Sequence, residues 1–169
     1  MTMIEESMAL VAATMAEDLP DDPPAGFLPI GMRPGFHTMM GQLYGKLEDG
    51  SLVCGFRCSP RHLNNNGTCH GGMIASFADF SAYEIRLIPE LADVTTPTAS
   101  LAVEYLRPIK LGDWVEARMQ VTRRGSRLVF TRVTGTVGDK VVFTGTGLFV
   151  PGAPDPTVKD VLEHVMAGA

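Results

Sequence analysis

Asp79 is the only acid between Gly71 and Tyr83, and it lies eight residues beyond the first of two adjacent glycines, Gly71 and Gly72. A carboxylate on a helix that is apolar on nearly every face loses hydration unless it is paired or hydrogen-bonded. It therefore serves either as a structural ion-pair partner or as a base or nucleophile toward a bound substrate. Gly71 and Gly72 let the backbone approach a ligand closely. The first N–H groups of a helix lack internal acceptors, and with the helix dipole they favour an oxygen that carries negative charge. That environment suits the oxyanion of acyl transfer. The plain alternative for paired glycines is a tight strand-to-helix turn.

The element that must position these groups is a helix. Residues 73–88 are apolar on most faces, with Met73, Phe77, Phe80, Ile85 and Leu87 among them, which predicts a buried helix ended by Pro89. Eight residues of helix separate Gly71 from Asp79 by roughly 12 Å. One chain cannot bring both groups to a single carbonyl over that distance. If they act together they come from two copies, with the helices antiparallel about a two-fold axis and two sites per dimer.

Asn64, Gly67-Thr68, His70-Gly71-Gly72 and Asp79, in that spacing, resemble the signature of hot-dog-fold acyl-CoA thioesterases, specifically the phenylacetate-pathway (PaaI-like) branch. TASLAVEYLRPIKLGD at 98–113 is similar to that family's strand ending in Arg-Pro and then Gly-Asp. The resemblance covers about residues 36–150. It implies an α+β hot-dog fold: an antiparallel sheet of five or six strands wrapped round one long central helix. It also implies homodimers that pair into tetramers, acyl-CoA as substrate, hydrolysis to free acid and CoA, and no cofactor. On its motif, Asp79 is the catalytic carboxylate and the Gly71 N–H polarises the thioester carbonyl. Asn64 helps to place the carbonyl or water, and Thr98 is a hydroxyl near the acid. His70 is a motif histidine of structural rather than general-base character, and Gly72 accompanies it in binding substrate. The family places acid and oxyanion donor on opposite subunits, in agreement with the distance above.

Composition bounds the class. A chain of 169 residues, 45% hydrophobic, is one domain with a real core. Its net charge of −5 argues against a nucleic-acid partner. No apolar run reaches the ~18–20 residues of a membrane span. Glu5 and Glu6 replace the positive leader of a secretory signal, and three cysteines form no disulfide framework, so a cytoplasmic protein is expected.

Along the chain, Ile4, Met8, Val11, Met15 and Leu19 predict an N-terminal amphipathic helix that docks on the sheet or on a partner subunit. A proline-containing lead-in follows to residue 35, so residues 1–35 form an extension, 36–150 the domain and 151–169 a tail. Residues 36–48 and 51–58 read as strands joined at Asp49-Gly50, a hairpin dipeptide. Residues 98–106, 114–122, 128–137 and 141–150 read as further strands, with turns at Arg124-Gly125-Ser126 and Gly138-Asp139. Residues 157–166 read as a short closing helix.

Cys54, Cys58, His62, Cys69 and His70 do not predict a metal site. On a strand, positions 54 and 58 lie about 13 Å apart, too far for one tetrahedral zinc, and buried free thiols are the ordinary outcome. Between Arg107 and Arg132 seven cations face only Asp113 and Glu116. Such a window fits the phosphates of CoA or, equally, solvated strand edges. Arg124 and Arg127, at a turn, are the leading phosphate contacts. The rival function is a non-catalytic acyl-CoA-binding module, a sensor or partner subunit, which has no need of Asp79.

Overall fold

The computed structural model describes residues 2–16 and 19–168. In chain order its elements are α1 (Met3–Ala16), β1 (Leu28–Pro29), α2 (Phe36–Met39), β2 (Tyr44–Glu48), β3 (Ser51–Arg57), α3 (Gly71–Phe80), β4 (Thr98–Tyr105), β5 (Trp114–Arg124), β6 (Val129–Val137), β7 (Lys140–Phe149) and α4 (Glu163–Ala167). The strands form one seven-stranded sheet in the order β1-β2-β3-β5-β6-β7-β4, and every neighbouring pair is antiparallel. The chain leaves β3, crosses the sheet as α3 and returns as β4 on the far edge. The helix is therefore enclosed on one side by a sheet that curls round it.

Aromatic packing holds α3 in place. Phe77 is fully buried, its ring 4.6 Å from Phe56 of β3 and 6.5 Å from Phe143 of β7, both edge-on. Phe143 needs room in turn. A Cβ at Gly135 would stand 1.9 Å from its ring, so only glycine fits there on β6. At the expected hairpin, Asp49 and Gly50 both adopt positive φ (52° and 78°), and β2 pairs with β3 from Glu48↔Ser51 onward.

Four expectations change. Residues 36–48 are not one strand: Phe36–Met39 form a helical turn, and Gly41, at φ 83°, redirects the chain into β2. The central helix is α-helical only to Phe80 and continues as a 3₁₀ helix over Ser81–Leu87. The Ser81 hydroxyl donates to the Phe77 carbonyl at 2.9 Å, a side-chain bond that competes with the backbone ladder where the helix tightens. Nor is the helix buried all round. Met73, Ile74, Phe77, Ala78 and Phe80 are buried, but Ala75, Ser76, Asp79, Ala82, Tyr83 and Arg86 form a half-open stripe, because the sheet covers one side only. Finally, of the two seats expected for α1, the sheet is not the one used within the chain: among the described residues the helix meets Pro60–His62, and Met3, Ile4, Met8 and Leu10 are exposed, their apolar surface spread round the helix rather than on one stripe. The side chains of Val11 and Met15 lie outside the described residues.

The flanking segments also contribute to the core. Ile30, just after β1, and Val161, Leu162 and Val165, after β7, are buried, and Gly31 N–H donates to the Val161 carbonyl at 2.9 Å. Cys54, Cys58 and Cys69 are buried free thiols. Among the described residues no helix is long and apolar enough to cross a membrane.

Candidate active site

The start of α3 is built by the turn before it. Asn64 Oδ1 accepts from the N–H groups of Asn66 (2.9 Å) and Thr68 (3.2 Å), while its Nδ2 donates to the Thr68 hydroxyl at 3.0 Å. The amide thus closes the turn that delivers Cys69 and His70 to the helix, and one Nδ2 hydrogen is left over. His70 is the N-cap. Its Nδ1 accepts from Gly72 N–H at 2.9 Å, while its carbonyl accepts from the N–H groups of Met73 (2.9 Å) and Ile74 (3.2 Å). The motif histidine is used structurally, as a cap.

This capping separates the two glycines. The Gly72 N–H is taken, whereas the Gly71 N–H has no acceptor among the described residues. The peptide on the other side of Gly71 is also fixed, because the Tyr105 hydroxyl of β4 donates to the Gly71 carbonyl at 3.0 Å. Asn64, Gly71 and Tyr105 line a cavity of about 340 Å³ that also contains Arg107.

Asp79 belongs to a different cavity. Thr98, the first residue of β4, donates its hydroxyl to Asp79 Oδ1 at 2.6 Å, a short charge-assisted bond. His37, Phe80, Tyr83, Arg86, Thr98 and Phe149 surround the acid in a space of about 210 Å³. Burial pushes the Tyr83 phenol up, and it pulls the Arg86 guanidinium below its usual value. Within one chain, then, Asp79 and Thr98 come together, Gly71 and Asn64 come together, and the two pairs do not meet. Since Thr98 touches the end of α3 and Tyr105 its beginning, β4 runs antiparallel to the helix.

The two expected phosphate contacts lie elsewhere. Arg124, Val129, Phe149 and Thr98 occupy one row across four adjacent strands, which sets Arg124 about 14 Å from Thr98 at the usual strand spacing. Arg124 is paired with Glu90 at 2.9 Å, and Arg127 is exposed at the same turn. Tyr105, Arg107, Arg86 and His37 are site-lining residues that motif spacing does not reveal. Arg107 is the first cation of the basic window, and Arg86 stands two helical turns beyond Asp79 on the same half-open stripe.

The class of protein follows from this arrangement: one antiparallel sheet curled round a central helix that carries an acid and opens on an unpartnered N–H is a hot-dog fold. More particularly, residues 66–144 match the family model of the thioesterase superfamily. Over 84 residues it is 29% identical to the human acyl-coenzyme A thioesterase 13, a match spanning 50% of this chain and 59% of that one. The TT0310 protein from Thermus thermophilus superposes with a TM-score of 0.61 at 28% identity, covering 71% of this chain and 99% of that one. A mutant of the phenylacetic acid degradation protein PaaI from the same organism gives 0.57 at 27% identity, over 64% of this chain and 92% of that one.

Proposed function

We propose that the protein hydrolyses an acyl-CoA thioester to the free acid and CoA, at sites shared between two copies of the chain. One observation carries this reading: the unpartnered Gly71 N–H and the Thr98-held Asp79 carboxylate stand at opposite ends of β4, an open sheet edge. Antiparallel pairing of β4 with its copy, centred between Leu101 and Ala102, sets Thr98 across from Tyr105 of the partner subunit. Asp79 then lies beside the partner's Gly71. The edge suits such pairing, for its eight residues include no Lys, Arg or Pro, the residues that guard exposed edges. The exposed apolar residues of α1 offer a second contact through which dimers pair.

In this site the thioester carbonyl oxygen accepts from the Gly71 N–H, and the N-terminal end of α3 stabilises the charge that develops there. Asp79 of the other copy takes a proton from water as that water attacks the carbonyl carbon. Alternatively it attacks directly, giving a mixed anhydride that water then opens. In either case the C–S bond breaks and CoA leaves as its thiol. Thr98 holds Oδ1, so Oδ2 is directed to the substrate, and Tyr105 steadies the donor peptide. Arg107 beside Gly71 and Arg127 on the β5–β6 turn are exposed cations open to CoA phosphates. Arg124 reaches a phosphate by exchanging Glu90.

Release of free thiol from aromatic, short and long acyl-CoA thioesters tests this reading, with Asp79→Asn as the comparison. Near-wild-type turnover by that variant on the best substrate removes Asp79 from the role. Binding without turnover across the panel favours the acyl-CoA-binding module instead.

A further inference from the structure

The wall of the Asp79 cavity contains a cation that the hydrolytic mechanism does not use. Arg86 is half-buried in the 3₁₀ extension of α3 and lines the cavity that Asp79 and Thr98 open. A guanidinium has five N–H donors and no acceptor. One of these bonds is made inside the chain, from Nη1 to the Leu91 carbonyl at 3.1 Å. The Nε is buried and has no acceptor among the described residues. Nor does any described carboxylate lie within ion-pair distance. Asp155, the carboxylate whose field reaches Arg86, is itself engaged by Thr157 and by Arg33 at 3.7 Å. Burial works against the charge on Arg86, and the field of Asp155 opposes that effect more weakly. A half-buried guanidinium that makes one bond inside the chain and no ion pair among the described residues is costly unless an anion completes it.

The rest of the cavity says what form that anion takes. Phe80, Phe149 and Pro97 give it apolar walls, and the thioester end is defined by Asp79. Arg86 lies seven residues further along the helix, a separation of about 10–14 Å between the α and 3₁₀ rises, part of which the arginine side chain spans. A ligand that fits both ends has an acyl carbon at Asp79, a short hydrocarbon segment and an anionic group at its far end. We propose that Arg86 makes this site selective for acyl-CoA thioesters whose acyl chain ends in a carboxylate, which the guanidinium in the cavity wall pairs. The selectivity rests on the hydrolytic reading above for its placement of the thioester at Asp79, yet it is measured separately from turnover.

The experiment compares glutaryl-CoA with valeryl-CoA, matched in chain length and differing in the terminal carboxylate. Succinyl-CoA with butyryl-CoA, and adipyl-CoA with hexanoyl-CoA, bracket the length. The quantity read is the ratio of kcat/KM for the carboxylated over the neutral thioester. Wild type favours the carboxylated member. Arg86→Gln lowers the ratio by about 10- to 100-fold, as the loss of a charge-assisted pair requires, and Arg86→Lys restores part of it. The same ratio is read as binding, by calorimetry on the Asp79→Asn protein. A ratio that Arg86→Gln leaves unchanged in both measurements overturns the proposal, even where every thioester is cleaved. A ratio that moves in binding while no thioester is cleaved sustains the selectivity and removes the hydrolytic reading.

Discussion

Gly71→Pro removes one amide hydrogen, sets the ring Cδ in its place and leaves the helix start intact. The position is the first residue of α3, where proline is well accommodated because its fixed φ is that of a helix and its missing N–H has no intrahelical role. His70 already has the extended backbone that a following proline requires, with φ −65° and ψ 136°. A Cβ at residue 71 comes within 3.3 Å of the Tyr105 ring, and Tyr105, 54% exposed, has room to move by the few tenths of an ångström needed. Stability should therefore change by no more than about 1 kcal/mol. Turnover, in contrast, should fall by about 10²–10³, the usual cost of losing one oxyanion donor. Asp79→Asn should be inactive for the complementary reason. In a dimer of one Gly71→Pro chain and one Asp79→Asn chain, one site has lost both groups and the other has kept both. Random remixing of equal amounts makes half the dimers mixed, so about a quarter of wild-type activity returns. The assay is thiol release before and after co-refolding, with subunit exchange followed by differently tagged chains. Activity no higher than that of the two parents, with mixed dimers demonstrably present, refutes the shared site.

Thr98→Val keeps the shape of the side chain but removes the 2.6 Å bond to Asp79, and kcat should fall roughly tenfold, while Thr98→Ser retains most of it. An unaltered kcat for the valine variant would deprive Thr98 of its orienting role. Glu84 gives a pH signature in stability. Burial raises its carboxyl from 4.5 to about 7, although Oε2 accepts from Leu52 N–H at 2.6 Å. The unfolded chain therefore releases this proton near pH 4.5 while the folded chain keeps it, so stability is greatest below that pH and declines until the folded carboxyl ionises near pH 7. Glu84→Gln preserves an acceptor for Leu52 and should remove about 1 kcal/mol of that decline, a figure reduced for the partial exposure of the group. Urea midpoints at pH 5 and pH 8 check this, and an equal decline in the variant contradicts it. Phe77→Ala empties the contact between α3 and the sheet and should cost about 3–5 kcal/mol, read as a lowered denaturation midpoint. A loss under about 1 kcal/mol would mean that Phe77 is not what pins the helix.

Much of the fold was legible in local sequence because its determinants are contiguous. Asp49-Gly50 announces its hairpin through the positive φ that both residues must adopt, and the apolar run after Gly72 announces a central helix. The interval from Gly71 to Asp79 keeps the two groups of one chain from meeting at a single carbonyl by length alone, whatever the sheet does. The rest depends on residues distant in sequence. Ser81 and the one-sided sheet set where α3 tightens and which of its faces stays half open. The crossover that carries β4 to the far edge, antiparallel to α3, places Thr98 on Asp79 and Tyr105 on Gly71, contacts 19 and 34 residues apart in the chain. Which glycine keeps a free N–H was decided by the His70 ring, Arg124 was committed to Glu90, and Arg86 was turned into the acid's cavity. A sequence names the groups and their local spacing. Only tertiary packing decides which donors find acceptors, because partners are assigned by strand order and burial.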